Sequence, residues 1–344
     1  MKAIQKPTAV PGFTLINAPI PTYGPDEVLI KVTLASICGT DVHITEWDEW
    51  SASRINPPII YGHEFCGVVE AVGQNVTHVK PGDFVSAEMH IPCDVCYSCR
   101  TGKRHICENI RIAGVDRDGC FAEYITLPKN QIIKLPEPIT PEYGALLDSL
   151  GNAVHAVSKA NVSGNSVLIL GCGPIGLFSI AVANALGATR VFATDMSEYR
   201  LQLAQQMGRV QVFKAGDPEL YRQIESTTTH SGIDVVLEMS GSMQAFKTGL
   251  DVLNPGGTVV LFGIPQQSAS PEILTDIIFK EATVLGVHGR EIYSTWLVML
   301  ELLASGRLNI DSIITHRIPL SQFGEAISLV KSGNCGKVLL DPTR

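Results

Sequence analysis

The stretch SVLILGCGPIG, residues 166–176, constrains the fold more than any other part of this chain. An apolar run leads directly into Gly171, Gly173 and Gly176, and a segment of small residues follows. A buried strand, a tight turn and a helix fit that order. Glycine tolerates both the turn and the close packing of helix on strand. The helix amino terminus then leaves free N–H groups that favour a phosphate. Asp195 closes the next apolar run, RVFATD, where a carboxylate can accept both ribose hydroxyls of a dinucleotide. Its charge repels a 2′-phosphate, which favours NAD over NADP. Arg200 complicates that preference and equally suits a place over the adenine. A plain amino-terminal cap for a helix from Ser197 onward is the other reading of Asp195.

The alternation continues beyond this unit. IDVVLEMS (233–240), GTVVLFG (257–263) and ATVLGVHG (282–289) read as short buried strands. SEYRLQLAQQM (197–207) and SMQAFKTGLDVL (242–253) read as helices. Strands and helices in turn imply an α/β fold, a doubly wound parallel sheet of Rossmann type, over 152–289. Residues 1–151 differ: EVLIKVTLA, CGVVEAVG and DFVSAEM are short apolar runs broken by Pro and Gly. That spacing predicts a barrel-like β-rich domain. After 290 comes an amphipathic helix, EIYSTWLVMLELLASG, and then the strand-like ITHRIPL and KVLLD. The expectation is that 290–344 returns to the first domain.

Composition excludes several classes. The formal net charge is −8 and no block of Lys and Arg is present, which argues against a nucleic-acid surface. Ala160 to Thr189 carries no charged residue, but its glycines divide it, so a strand–turn–helix explains it better than a membrane span. The amino-terminal MKAIQKPTAVPGF lacks the apolar core of a signal peptide. A soluble, cytoplasmic protein is expected, whose nine cysteines are thiols or metal ligands.

Four of these cysteines, Cys93, Cys96, Cys99 and Cys107, lie in CDVCYSCRTGKRHIC. Two CxxC steps and a fourth thiol can wrap one tetrahedral zinc and leave no open position, so the site is structural. Elsewhere, CGTDVHITEWDEW brings Cys38, and YGHEFCG brings His63 and Glu64. Singly, Cys38 suits a buried apolar position and His63 a satisfied core histidine. Together with the carboxylate they suit a catalytic zinc with an open position, which lowers the pKa of a bound hydroxyl.

CGTDVH, GHEFCG, the four-cysteine loop and GCGPIG, in this order, resemble the zinc-dependent medium-chain dehydrogenases over essentially the whole chain. DSLGNAVHAV, TDMSEYRLQLA, FGIP, HGRE and ITHR resemble one branch of that family, the bacterial L-threonine 3-dehydrogenases. The resemblance implies a GroES-like catalytic domain, two zinc ions per chain, NAD and a homotetramer. It implies a catalytic zinc on Cys38, His63 and Glu64, with Asp148 on the metal or just outside it. Thr40 and His43 match a relay that carries the alcohol proton through the cofactor ribose to solvent; without the zinc motif they would read as a helix cap and a surface histidine. Ile175, Asp195, Arg200, Phe262, Gly263 and Ile264 match cofactor positions. Val287 and His288 fall where the family backs the nicotinamide, with VHG here in place of IYG. Cys66 and Ser149-Leu150 also depart from the family pattern beside the metal residues.

The implied reaction is oxidation of the secondary hydroxyl of L-threonine. A polyol or another secondary alcohol, such as sorbitol or butane-2,3-diol, is the alternative small-molecule substrate. Threonine needs a partner for its carboxylate, for which Arg290 and His90 are candidates, and one for its ammonium, for which Glu49 or Asp48 is available. A solvated loop and a structural ion pair account for these charges equally well. A zinc-stabilised nucleotide-binding protein without turnover is the reading from another class, against which the full set of Cys38, Thr40, His43, His63 and Glu64 argues.

Overall fold

The computed structural model describes residues 1–265 and 267–343. The chain divides into two compact units, Met1–Ser149 with Ile314–Arg344, and Leu150–Ile313.

In the first unit, the long strand Glu27–Ser36 is the centre of a mixed sheet. It pairs antiparallel with Phe65–Val72, with Tyr124–Pro128 and with Lys337–Asp341. Lys337–Asp341 in turn pairs in parallel with Ile314–Pro319. The last strands of the chain therefore complete the sheet built on Glu27–Ser36. The inward faces of Val28, Ile30, Val32, Phe65, Val85 and Ile125 form the core, joined by Phe323 and Ile327 from the helix Phe323–Ser332. Burial of that apolar area is the main stabilising term.

The second unit is a parallel sheet in the order Gln211–Lys214, Arg190–Asp195, Ser166–Leu170, Ile233–Glu238, Leu253–Leu261 and Thr283–Gly286. Chain order reverses between Ser166–Leu170 and Ile233–Glu238. Such a switch point opens a crevice at the carboxyl ends of the strands, where open α/β sheets bind ligands. Ser166–Leu170 is buried at every position, as its unbroken apolar run requires. The strand Gln211–Lys214 escapes the sequence pattern, because as an edge strand it leaves Gln211 and Lys214 in solvent.

Both boundaries differ from expectation, the first by two residues, at Ser149 in place of 151, and the second by more. Ile314–Arg344 joins the first unit, but Arg290–Ile313 stays with the second. The helix Ser294–Ala304 buries Trp296, Met299, Leu302 and Leu303. Arg307 then donates to the Ala185 carbonyl at 2.9 Å and ties the segment to the helix Pro174–Ala185. Helical periodicity shows that a face is apolar, not which core it enters.

Candidate functional site

Cys38 lies two residues beyond the strand Glu27–Ser36 and is the residue before the helix Gly39–Glu46. Asp41 accepts from the Cys38 backbone N–H at 2.8 Å, so the cysteine is held at the helix start. His63 and Glu64 precede the strand Phe65–Val72. Their approach depends on Gly62, at φ +101°, where an added Cβ would sit 2.3 Å from the Phe121 ring. Together these elements bring donor atoms of Cys38, His63 and Glu64 within 4.8 Å of one another.

The charges around these donors ask for a cation. Glu64 is 1% exposed. Its Oε2 accepts from Ser36 Oγ and from the buried Lys337 ammonium, while its Oε1 has no hydrogen-bond partner among the described residues. Burial disfavours a charged imidazole, yet Asp41, Cys38 and Asp148 around it push His63 up to about 10. Burial pushes Asp41 itself up to about 6, and its Oδ1 lies 3.7 Å from His63 Nδ1. A histidine driven to hold a proton among a thiol and carboxylates marks a place where positive charge is required. Thiolate, imidazole and an orphaned carboxylate oxygen are a donor set that fits zinc. Asp148, 7% exposed in the helix Leu147–Lys159, is not among the three grouped donors; its effect on His63 is electrostatic.

The donor atoms of Cys93, Cys96, Cys99 and Cys107 likewise lie within 4.8 Å of one another. N–H groups of Val95 and Cys96 hold Cys93 down to about 6, whereas burial lifts Cys99 to about 12. Cys107 Sγ accepts from the backbone N–H of Cys93 and of Asn109, both at 3.3 Å. Only short helical turns, Tyr97–Arg100 and Arg104–Ile106, lie between these cysteines, and Tyr97 is 77% exposed. With so little core, a shared cation is the force that fits this lobe.

In the second unit, Gly173 caps the helix Pro174–Ala185, and Ile175 lies in its first turn. Gly176 admits no side chain, since a Cβ there would meet the Gly171 carbonyl oxygen at 1.9 Å. Asp195 Oδ2 accepts from the Cys172 N–H at 2.7 Å and Oδ1 from the Ser197 N–H at 2.8 Å. The helix cap is Ser197, which accepts from Arg200 N. Phe262, Gly263 and Ile264 follow the strand Leu253–Leu261, and Val287 and His288 follow Thr283–Gly286. Phe262 and Gly263 are bound through their N–H groups to the Glu238 carbonyl, and Val287 to that of Leu261. All these positions lie at carboxyl ends of parallel strands.

Residues 24–137 match the model of the alcohol dehydrogenase GroES-like domain, and 174–305 that of the zinc-binding dehydrogenase. The chain is 45% identical to the L-threonine 3-dehydrogenase of Bacillus licheniformis over 342 residues, 99% of each chain. It is also 45% identical to that of Pyrococcus abyssi over 98% of each. The chain belongs to the zinc-binding dehydrogenase family. Solved relatives share the fold. A zinc-binding dehydrogenase from Sinorhizobium meliloti, bound to NADP, gives a TM-score of 0.90 at 32% identity, and 2R,3R-butanediol dehydrogenase from Bacillus subtilis gives 0.90 at 27%. Each comparison covers 99% of both chains. As a zinc-binding dehydrogenase, the protein is an oxidoreductase that uses zinc and a nicotinamide dinucleotide.

Three residues of this dehydrogenase escape a reading by motif. Lys337 and Asp41 surround the metal donors, and Glu238 is 1% exposed at the carboxyl end of its strand. Glu238 accepts from the N–H groups of Ser240 and Gly241, and so shapes a turn against Gly171. For Lys337 and Glu238 the sign was a charge at the edge of or inside an apolar run, in KVLLD and in VVLEMS; Asp41 lies in CGTDVH and gave no such sign.

The substrate candidates divide. Arg290 is 1% exposed; its guanidinium lies 5.6 Å over the Trp296 ring, with Nη1 3.5 Å from Asn152 Oδ1. That is a packed socket within the second unit. His90 pairs its Nδ1 with Glu88 Oε1 at 2.9 Å. Glu49 opens the short helix Glu49–Arg54 in solvent, and Asp48 caps that helix. Thr40 Oγ1 lies 3.8 Å from Cys38 Sγ, and His43 stands one turn further along the same helix.

Proposed function

We propose that this dehydrogenase oxidises the 3-hydroxyl of L-threonine to 2-amino-3-oxobutanoate with NAD. The observation that carries the reading is identity of 43–45% to curated L-threonine 3-dehydrogenases along the entire chain, not only at motifs shared by all zinc alcohol dehydrogenases. Cys38, His63 and Glu64 hold the catalytic zinc, with Asp148 acting on it through its charge. Cys93, Cys96, Cys99 and Cys107 hold the structural one. When bound, zinc acidifies the substrate hydroxyl and NAD accepts the hydride.

The chain's own residues supply orientation and proton transfer. Thr40 Oγ1, beside Cys38, would accept the proton of the ionising hydroxyl as it gives up its own to the relay, and His43, 59% exposed at its side chain, would take up the relayed proton and release it to water. Gly171, Gly173, Ile175 and Gly176 receive the pyrophosphate at the helix amino terminus. Asp195 receives the adenosine ribose and Arg200 flanks it. Phe262, Gly263, Ile264, Val287 and His288 line the nicotinamide end.

The finer expectations of compartment and assembly belong to the same reading. Nine free cysteines suit a reducing cytoplasm, and no described helix is long and apolar enough to cross a membrane. Leu274, Ile278 and Phe279 stand 57, 73 and 84% exposed on the helix Pro271–Phe279, a surface that suits a homotetramer contact.

A panel of threonine, serine, sorbitol and butane-2,3-diol, each with NAD and NADP and followed by reduced-cofactor absorbance, tests the proposal. Threonine with NAD is expected to give the highest kcat/KM, and a chelator to abolish it. A leading polyol or diol would put the enzyme beside its butanediol-specific structural relative instead.

A further inference from the structure

Around His43 the chain is folded into an unusually constrained turn. The helix Gly39–Glu46 ends at Trp47, which adopts the left-handed conformation at φ 57° and ψ 51°. A bulky residue there is strained, and its neighbours hold it. The Trp47 and Asp48 N–H groups both lie against the His43 carbonyl, at 2.9 and 3.4 Å. The ammonium of Lys6 sits 5.0 Å over the Trp47 ring and donates to the carbonyls of Val10, Gly12 and Thr45. The reversal carries Asp48 back beneath the helix it has just left.

Asp48 then divides its two carboxylate oxygens. Oδ1 accepts from the Ser51 N–H at 2.9 Å and caps the helix Glu49–Arg54. Oδ2 lies 2.6 Å from His43 Nδ1. The edge of the Trp50 ring faces the imidazole, with centroids 6.5 Å apart. The cap alone would explain one oxygen. It leaves the other, and the closeness of its contact with a half-exposed histidine, without a cause.

We infer that Asp48 is a positioning residue for proton transfer, holding His43 in the tautomer whose Nδ1–H donates to the carboxylate and whose Nε2 is bare. This rests on the reading of His43 as the outer member of the proton relay. In each turnover Nε2 accepts one proton, the ring becomes an imidazolium against an ionised Asp48, and the same proton leaves from Nε2 to water. Nδ1–H stays in place throughout, so no second proton moves. The Ser51 N–H bond holds the Asp48 carboxyl below the ordinary carboxylate range against the opposing effect of burial, and the Ser51 side chain and then His43 add to it. The carboxylate is thus charged when the imidazolium forms. A neighbour that fixes the tautomer and balances the charge is the part a buried aspartate plays behind a catalytic histidine in acyl transfer, here in a more exposed setting.

The test compares Asp48→Asn, Asp48→Ala and His43→Gln. Asparagine caps a helix as well as aspartate does, so Asp48→Asn preserves the turn and removes the charge. Its thermal midpoint is expected to match that of the parent, while Asp48→Ala lowers it. Both variants are expected to lose roughly tenfold in kcat with threonine, with KM for threonine and affinity for NADH held within about twofold. Nitrogen-15 spectra of the histidine-labelled parent are expected to show His43 with its proton on Nδ1, a population that Asp48→Asn shifts. A proton resting on Nε2 in the parent would overturn the inference even if no variant folded. Parental kcat in Asp48→Asn beside a large loss in His43→Gln would leave Asp48 a helix cap only. A raised KM for threonine at unchanged kcat would make it a substrate ligand. Parental activity in both His43→Gln and Asp48→Asn would remove the relay reading together with this one.

Discussion

The Lys337 ammonium donates to Glu64 Oε2 at 2.5 Å although 273 residues separate the two. Both side chains are buried, and Lys337 also donates to the Ile37 carbonyl at 2.9 Å, one residue before Cys38. The last strand of the chain therefore holds two of the segments that supply the candidate metal donors. Burial alone would lower the Lys337 pKa, but Glu64 and Cys38 raise it above the ordinary value. With Oε2 taken by the ammonium and Ser36, the carboxylate is left with Oε1 to give.

Lys337→Met is accordingly expected to leave the buried Glu64 Oε2 without its ammonium partner. Removing one partner of such a pair costs roughly 3–5 kcal/mol. Thermal denaturation is expected to show the loss, and metal analysis a fall toward one zinc per chain as the site at Cys38 empties. A variant that melts with the parent and keeps its full zinc would show that the ammonium holds neither.

Asp195→Ser removes the negative charge proposed to face the adenosine ribose. The ratio of kcat/KM for NAD to that for NADP is expected to fall by roughly tenfold, about 1.4 kcal/mol. Arg200 close by then favours a 2′-phosphate. An unchanged ratio would move the discrimination elsewhere in the loop.

For Arg290→Ala the expected effect is on stability. The guanidinium packs over Trp296, and a Cβ added at Gly151 would meet its Cδ at 2.6 Å. Truncation opens a cavity in that socket at a cost of roughly 2–4 kcal/mol. Denaturant titration measures it. A large rise in KM for threonine at an unchanged midpoint would instead make Arg290 a carboxylate ligand.

The paired change Ile278→Glu with Phe279→Glu puts charge on the exposed apolar end of the helix Pro271–Phe279. Light scattering is expected to report a species smaller than the proposed tetramer, with folding retained because both side chains face solvent. A tetramer that survives both charges would place the assembly surface elsewhere.

Features made by neighbours in sequence were legible without a structure. SVLILGCGPIG shows a strand, a turn and a helix because each needs only its own few residues. The four cysteines were readable as one cluster because spacing in a single loop limits their geometry, and their sulfurs lie within 4.8 Å of one another. Cys38 with His63 and Glu64 was readable for a different reason, since thiol, imidazole and carboxylate are each costly to bury without a shared purpose. Where apolar character was equally compatible with two partners, the sequence was silent: the helix Ser294–Ala304 could enter either core. The edge strand Gln211–Lys214 carried too little apolar pattern to be seen.

Residue types and local spacing thus determined the α/β class, the dinucleotide loop, the cysteine-bound lobe and the chemistry of the donors. Only the tertiary structure decided that Lys337 and Asp41 stand behind those donors, that Arg290 is enclosed, and that Asp48 turns back onto His43. The reason is that hydrogen bonding and desolvation act on distance in space. Capping and turn preferences are set within a few residues, whereas the partner of a buried charge is set by how whole sheets close.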